Sequence, residues 1–215
     1  QLYSTPSDRL SLRLILDYDE LDEACCGVGN IINGATAGAV AGVGGSLVPE
    51  NTFSRSGFVN FNPSNKVKNS GTSLQVDYDL ENSLITSITS IRNVTRIEDA
   101  DVDFTSADII GTNFSDTDID TFTQELRWSS VGGEKMDWMI GAFFFDEGVT
   151  YDTSLRYGSD ARLYADLLAG QGVPGSLATL EAALGGLPPV LFAEGAGVVE
   201  NAGQENTALS IFGQM

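Results

Sequence analysis

Residues 121–130 read TFTQELRWSS, and this stretch decides between two kinds of β protein. Leu126 and Trp128 have one parity, whereas Glu125 and Arg127 have the other. Successive side chains of a strand point to opposite faces, so the stretch has one apolar and one charged face. A soluble sandwich would bury the apolar face in a core. A membrane barrel would turn that face to lipid and point the charges into a polar lumen.

The charge balance and the absence of histidine limit the classes of function that this protein can have. The 215 residues include 11 basic and 30 acidic residues and no histidine, which gives a net charge of −19. Nucleic acid is excluded as a partner because phosphate binding requires a basic patch. The charge suits a surface or secreted protein, one that attracts cations, or solubility alone. Without histidine no Ser-His-Asp or Cys-His site can form. A glycosidase would need two catalytic carboxylates, and no sequence context singles out two of the 30 acidic residues for this role, so we expect that the protein is not an enzyme.

The two cysteines, Cys25 and Cys26, are adjacent. No CxxC spacing is present, so we expect no zinc site. Histidine, the commonest metal ligand, is also absent, and we expect no other metal and no cofactor. A vicinal disulfide that stiffens a surface loop is the favoured interpretation in an oxidising compartment. A redox or ligand-contact pair is the alternative.

Period-2 alternation predicts six strands joined by connections of very unequal length. The predicted strands span about 8–20, 72–81, 84–97, 119–131, 136–147 and 204–215. Short turns lie at 81–83 and 132–135, and long loops at 21–70, 98–118 and 148–203. The last loop contains two predicted helices, 159–170 and 176–186, with Ser159 and Ser176 as N-caps.

Short and long connections alternate along the chain, so all short turns lie at one end of the sheet. This segregation is typical of transmembrane barrels, with short periplasmic turns and long extracellular loops. Aromatic residues near strand ends fit interfacial girdles: Tyr18, Tyr78, Trp128 and Trp138. The uncharged stretch 27–49 is long enough for a membrane helix, but its many glycines favour a flexible loop.

Several strands resemble those of TonB-dependent outer-membrane receptors. The segments that carry the resemblance are DEACC (22–26), LQVDYDLENSLITSITSIRN (74–93), FTQELRWSS (122–130), MDWMIGAFFFDE (136–147) and NTALSIFGQM (206–215). FTQELR is the most specific of them. The resemblance covers the strands, roughly half of the chain, and the loops resemble nothing that we can name.

The resemblance implies an all-β fold, a partial antiparallel transmembrane barrel. The chain would be one internal segment, residues 1–215, that supplies about six strands of a 22-stranded barrel, without the plug domain. It implies uptake of a scarce nutrient such as an iron–siderophore complex at the outer membrane of a Gram-negative bacterium. The implied partners are outer-membrane lipid, the TonB complex through the missing plug, and a small ligand: an iron chelate, cobalamin, a saccharide or a nickel complex.

Candidate site residues fall into three groups. Surface loops on a rigid scaffold carry recognition, so we expect ligand contacts in loop 148–203: Tyr151, Arg156, Tyr157, Arg162 and Tyr164. The residues expected to face the lumen, where they line a substrate path or make structural pairs across strands, are Arg13, Asp77, Asp79, Glu125 and Arg127. The acidic stretch 98–118 has oxygen ligands for calcium but lacks an EF-hand pattern, which favours a solvated acidic loop.

A secreted, soluble β-sheet binding module, carbohydrate-binding or adhesin-like, is the alternative from another class. Its apolar strand faces would pack against each other instead of against lipid. An isolated barrel segment would expose open edge strands and an apolar outer face, and would aggregate without detergent.

Overall fold

The computed structural model describes residues 1–25, 28–48, 53, 55–132, 136–185 and 191–215. Its strands are β1 (Leu2–Ser7), β2 (Leu10–Glu23), β3 (Ser64–Asp79), β4 (Ser83–Asp99), β5 (Ile110–Ser130), β6 (Met139–Tyr157) and β7 (Gly197–Gln214). All seven form one antiparallel sheet in the order β1-β2-β3-β4-β5-β6-β7. Three short helices lie outside it: α1 (Ala37–Gly42), α2 (Ala161–Ala169) and α3 (Ser176–Ala183).

The all-β prediction is confirmed as a single seven-stranded antiparallel sheet that is not closed into a barrel. The predicted count of six strands is wrong by one. Strand β1 was missed because LYSTPS has no apolar alternation, and it pairs with β2 through a tight turn at residues 8–9. The described edges of the sheet are β1 and β7.

The predicted strand bounds are too short. Strands β3 to β7 run for 16 to 21 residues, and they extend toward the long loops, which shrink to 24–63, 100–109 and 158–196. The added segments are rich in polar residues and lack a continuous apolar alternation. Cross-strand hydrogen bonds between side chains hold them, such as Asn201 to Asp152 at 2.5 Å and Thr95 to Asp118 at 3.0 Å.

Both predicted helices of the last loop exist, but their predicted N-caps are wrong. Helix α2 is capped by Asp160, not Ser159, and α3 by Gly175, not Ser176. Gly175 has φ of 112°, a conformation that side chains other than glycine rarely adopt. In the described part of the predicted 27–49 loop, residues 28–48, the one helix is α1, six residues long.

Among the residues that the structure describes, no helix is long and apolar enough to cross a membrane.

Connection length is segregated between the two ends of the sheet, as the sequence predicts. The connections 8–9, 80–82 and 131–138 lie at one end, and 24–63, 100–109 and 158–196 at the other. Of the turn predicted at 132–135, residues 133–135 lie outside the described residues.

The pairing register sorts the side chains of all strands onto two faces. Leu12, Val76 and Leu126 lie in one row, and Leu10, Tyr78 and Trp128 in the next. We call the apolar half of this face, next to the short turns, the apolar band. Its members are Leu10, Leu12, Leu14, Leu16, Leu74, Val76, Tyr78, Ile85, Ile91, Phe122, Leu126, Trp128, Ile140, Phe144, Leu209 and Ile211.

None of the described residues forms a protein layer over the apolar band. Leu126 is 50 % exposed, Leu209 74 % and Ile211 77 %. The buried apolar residues come from the loop end: Ala39, Val40, Val48, Ala107, Ala161, Leu167 and Leu177. The described part of the chain therefore keeps its core under the long loops and leaves its largest apolar surface open.

Candidate functional site: a loop cluster with two cavities

The three helices and the 100–109 connection pack together at the long-loop end, and we call this unit the loop cluster. Helix α1 packs on α2 closely enough that a Cβ on Gly42 would overlap the side chain of Leu167 at 2.6 Å. Small residues at this contact let the two helices approach. The cluster therefore has a packed interior of its own, above a sheet that has none.

Carboxylates of the acidic stretch hold the loops through backbone N–H groups. Asp101, 3 % exposed, accepts bonds from the backbone N–H groups of Asp103, Phe104 and Asn60. Asp103 accepts from the N–H groups of Thr105 and Ile110. These oxygens serve as loop anchors. Within the described ranges, no three acidic or cysteine side chains converge as a metal site.

Asp108 connects the 100–109 connection to two others. Its carboxylate accepts bonds from the Ser159 N–H at 2.8 Å and from the Asn60 side chain at 3.0 Å. The bond from the Ser159 N–H is the main cause that lowers the pKa of Asp108 below its usual range. The 24–63, 100–109 and 158–196 connections thus meet at one ionised carboxylate.

Helices α2 and α3 are joined by two polar contacts. Arg162 and Glu181 form a two-pronged ion pair, with N–O distances of 2.8 and 2.7 Å, and Glu181 is buried. Asp166 accepts the N–H groups of Leu177 at 2.7 Å and Gly175 at 2.6 Å. These two bonds lower the pKa of Asp166. A two-pronged guanidinium–carboxylate pair fixes geometry as well as charge.

An apolar cavity of about 380 Å³ lies between α2, α3 and the end of β6. The rings of Tyr157 and Phe192 line it, 5.2 Å apart and tilted by 57°. The rest of the wall is Ile109, Ala161, Tyr164, Ala165, Leu168, Ala169 and Leu177. Its volume falls in the range of small-molecule sites.

A second, more polar cavity of about 340 Å³ adjoins the first, and Ile109 and Tyr164 line both. Asp103, Thr105 and Asn30 are among its polar lining residues. Burial raises the pKa of the Asp103 carboxyl, an effect that hydrogen bonds from Ile110 and Thr105 oppose. The two cavities together offer an apolar compartment beside an acidic one, an arrangement suited to holding a small molecule.

The structure places the five predicted ligand residues in different surroundings. Tyr157 and Tyr164 line the apolar cavity. Arg162 is held by Glu181, and Arg156 donates to the backbone oxygen of Gly195 at 3.0 Å. The predicted loop position is wrong for Tyr151, Arg156 and Tyr157, because β6 extends to Tyr157. Arg162 and Tyr164 lie on α2, the first of the two helices predicted within that loop.

The sequence prediction missed most of the cavity wall. Ile109 lies before β5 and Phe192 lies 35 positions after Tyr157, so no local pattern joins them. The one available signal was the apolar side of α2, where Leu168 follows Tyr164 at i+4.

The five residues predicted to face a lumen share the face opposite the apolar band. Asp77 and Arg127 both pair with Thr86 in one row. Asp77 accepts a bond from Thr86 at 2.6 Å, and Asp79 accepts the Glu81 N–H at 2.8 Å. Glu125 and Arg127 lie 2.9 Å apart. The prediction that these two pair across strands is wrong, because they contact each other along β5. Arg13 lies opposite Gln75.

The same face carries an ion pair at its polar end. Arg92 contacts both carboxylate oxygens of Asp17 at 2.9 Å, over the backbone of Gly71. A Cβ on Gly71 would lie 2.5 Å from the guanidinium and 2.7 Å from the carboxylate. The glycine leaves room for the pair.

The predicted vicinal disulfide involves Cys25 and Cys26. Cys25 is disulfide-bonded, and its predicted partner Cys26 lies outside the described residues.

Compared with known proteins, the chain matches no family model, no curated protein and no solved structure.

Proposed function

We propose that the chain is a wall segment of a TonB-dependent receptor that imports a scarce nutrient across the outer membrane of a Gram-negative bacterium. The observation that carries the proposal is the uncovered apolar band, whose aromatic members Tyr78 and Trp128 lie at the short-turn margin. Trp138 contacts Trp128 edge-to-face there, at 5.1 Å between ring centroids. Tyr18 lies at the opposite margin.

The dimensions of the band support a lipid-facing role. From Leu10 to Tyr18 along β2, a rise of ~3.4 Å per residue gives about 27 Å. A strand tilt of about 40° reduces this to a height of about 20 Å, close to the ~25 Å apolar band of outer-membrane barrels. The strands continue beyond it as polar ladders that would stand outside the membrane and support the loop cluster.

The opposite face supports the same proposal. Its charged side chains contact one another, as in the Asp17–Arg92 and Glu125–Arg127 pairs, and would face the plugged lumen. In a soluble binding module the apolar faces would have to pack together. The described residues form only one sheet, with its apolar face open, so we propose no second function.

Tryptophan fluorescence tests the placement in the membrane. The full chain is refolded into vesicles whose acyl chains carry bromine, a short-range quencher. Trp128 and Trp138 are expected to be quenched. In a matched variant that carries Trp128→Phe, Trp138→Phe and Thr123→Trp, the single tryptophan lies on the opposite face and is expected to keep its emission. The proposal would be refuted if the chain stays monomeric in water and does not associate with the vesicles.

Transport is tested in the organism that encodes the chain. Disruption of the encoding sequence should abolish high-affinity uptake of one radiolabelled nutrient among iron chelates, cobalamin, nickel complexes and oligosaccharides. Loss of TonB in the intact strain should abolish the same uptake. Unchanged uptake of all four classes after disruption would argue against a transport role.

A further inference from the structure

The walls of the apolar cavity in the loop cluster favour ligand groups with an apolar surface. Apart from two tyrosine hydroxyls, its lining side chains are aliphatic or aromatic. A ligand group rich in hydrogen-bonding atoms would lose its water there without receiving new partners. The group that enters must therefore present alkyl or aryl surface.

Three of the lining residues are aromatic: Tyr157, Tyr164 and Phe192. Tyr157 and Phe192 pack on each other as a tilted aromatic pair, so their rings form one aromatic corner of the cavity. Aromatic rings attract cations electrostatically, and cages of such rings recognise ammonium groups that carry methyl substituents. When such a group is quaternary it has no N–H and needs no hydrogen-bond acceptor.

The charge around the cavity selects for a cation. The segments 24–63, 100–109 and 158–196 contain eight acidic and two basic residues. One of the two basic residues, Arg162, is neutralised by Glu181. In the described part of the chain, no lysine or arginine forms an ion pair with Asp101 or Asp103. Asp103 lines the adjoining cavity, so its field acts across Tyr164.

We propose that the apolar cavity binds the alkylated ammonium group of a small organic cation. The aromatic rings contact its methyl or methylene groups, and the Asp103 carboxylate, which lines the adjoining cavity, provides the opposing charge. A metal ion is not the ligand, because the walls lack ligating atoms, and an anion would be repelled. The role of this binding in nutrient uptake rests on the proposed function, whereas the binding itself does not.

The test compares two probes of equal shape. Benzyltrimethylammonium and neopentylbenzene differ in one central atom, a charged nitrogen or a neutral carbon. The full chain is held in a nonionic amphipathic polymer, and saturation-transfer NMR measures the affinity for each probe. The ammonium probe is expected to bind at least tenfold more tightly. Equal affinities, or no binding of the ammonium probe, would overturn the proposal.

Variants locate the binding. Tyr157→Leu and Phe192→Leu each remove a ring and should weaken ammonium binding about fivefold to thirtyfold. Ala165→Phe should abolish it by filling the cavity. Tyr3→Leu is the matched control, the same change at an exposed residue of the edge strand β1 that does not line the cavity, and it should leave the affinity unchanged. An equal loss in Tyr3→Leu and Tyr157→Leu would place the binding elsewhere and overturn the proposal.

Folding is measured on the same polymer-held samples, and membrane placement on the same variants refolded into vesicles. Circular dichroism identifies any variant that fails to fold, and Phe192→Leu replaces Tyr157→Leu if the latter does. Quenching by brominated vesicles reports the proposed function separately. If the ammonium probe does not bind but the tryptophans are quenched, only the proposed cation site is rejected. If the probe binds but the tryptophans are not quenched, only the proposed membrane placement is rejected.

Discussion

Leu126→Lys is the substitution that best separates a membrane wall from a soluble sheet. Leu126 lies on β5 in the second row of the apolar band, between Ser87 and Ala142, and half of its surface is exposed. In water, a lysine there would replace an exposed apolar side chain and cost almost nothing. In a bilayer, it would place an ammonium group against hydrocarbon.

The loss of stability expected for Leu126→Lys depends on the depth of residue 126 in the bilayer. A lysine at the midplane of an outer-membrane barrel costs about 2–4 kcal/mol and almost nothing near the interfaces. The second of four apolar rows lies between these limits, so we expect about 2–3 kcal/mol. This corresponds to a folding equilibrium about 30- to 150-fold less favourable.

Urea titration in lipid vesicles, followed by tryptophan emission, measures the free energy of unfolding. Thr123→Lys is the control, because residue 123 lies on the opposite face of β5, in register with Ser90 and Phe145. We expect the control to lose under about 1 kcal/mol. If the two variants lose equal stability, or if Leu126→Lys makes the chain a soluble monomer, the reasoning about lipid contact is wrong.

Three further predictions concern the loop cluster and the polar ends of the strands. Glu181→Gln leaves Arg162 without its partner and should destabilise the loop cluster by about 1–3 kcal/mol, measured by hydrogen exchange in α2 and α3. Gly71→Ala should cost up to about 1 kcal/mol in urea titration because its Cβ would displace the ion pair above it. Gly148→Ala should cost nothing, since that Cβ would meet no atom within 4 Å. The pKa of Asp166 is lowered by the N–H groups at the start of α3. Its stabilisation is therefore present above the unfolded pKa of about 3.9 and lost as the pH falls through the lower folded pKa. Helix circular dichroism between pH 7 and pH 2 should show this loss in the wild type, and the Asp166→Asn variant should lack it.

Local alternation was enough to predict the sheet. An apolar residue at every second position in LRLILDY and ELRW specifies a strand and its two faces, whatever lies around it. The order of short and long connections then places all turns at one end, because antiparallel strands alternate in direction. The apolar band, its aromatic margins and the segregated loops follow from these two local facts.

The tertiary structure alone decided the strand lengths, β1 and the loop cluster. The polar extensions of β6 and β7 are held by partners on the neighbouring strand, such as Asp152 opposite Asn201, and no single strand carries that signal. Arg162 was predicted to meet a ligand but meets Glu181, because the turn between α2 and α3 brings the two residues together. The cavity wall joins Ile109 of the 100–109 connection, Tyr157 at the end of β6 and Phe192 of the 158–196 connection. Alternation is a property of neighbours along the chain, whereas a cavity is a property of neighbours in space.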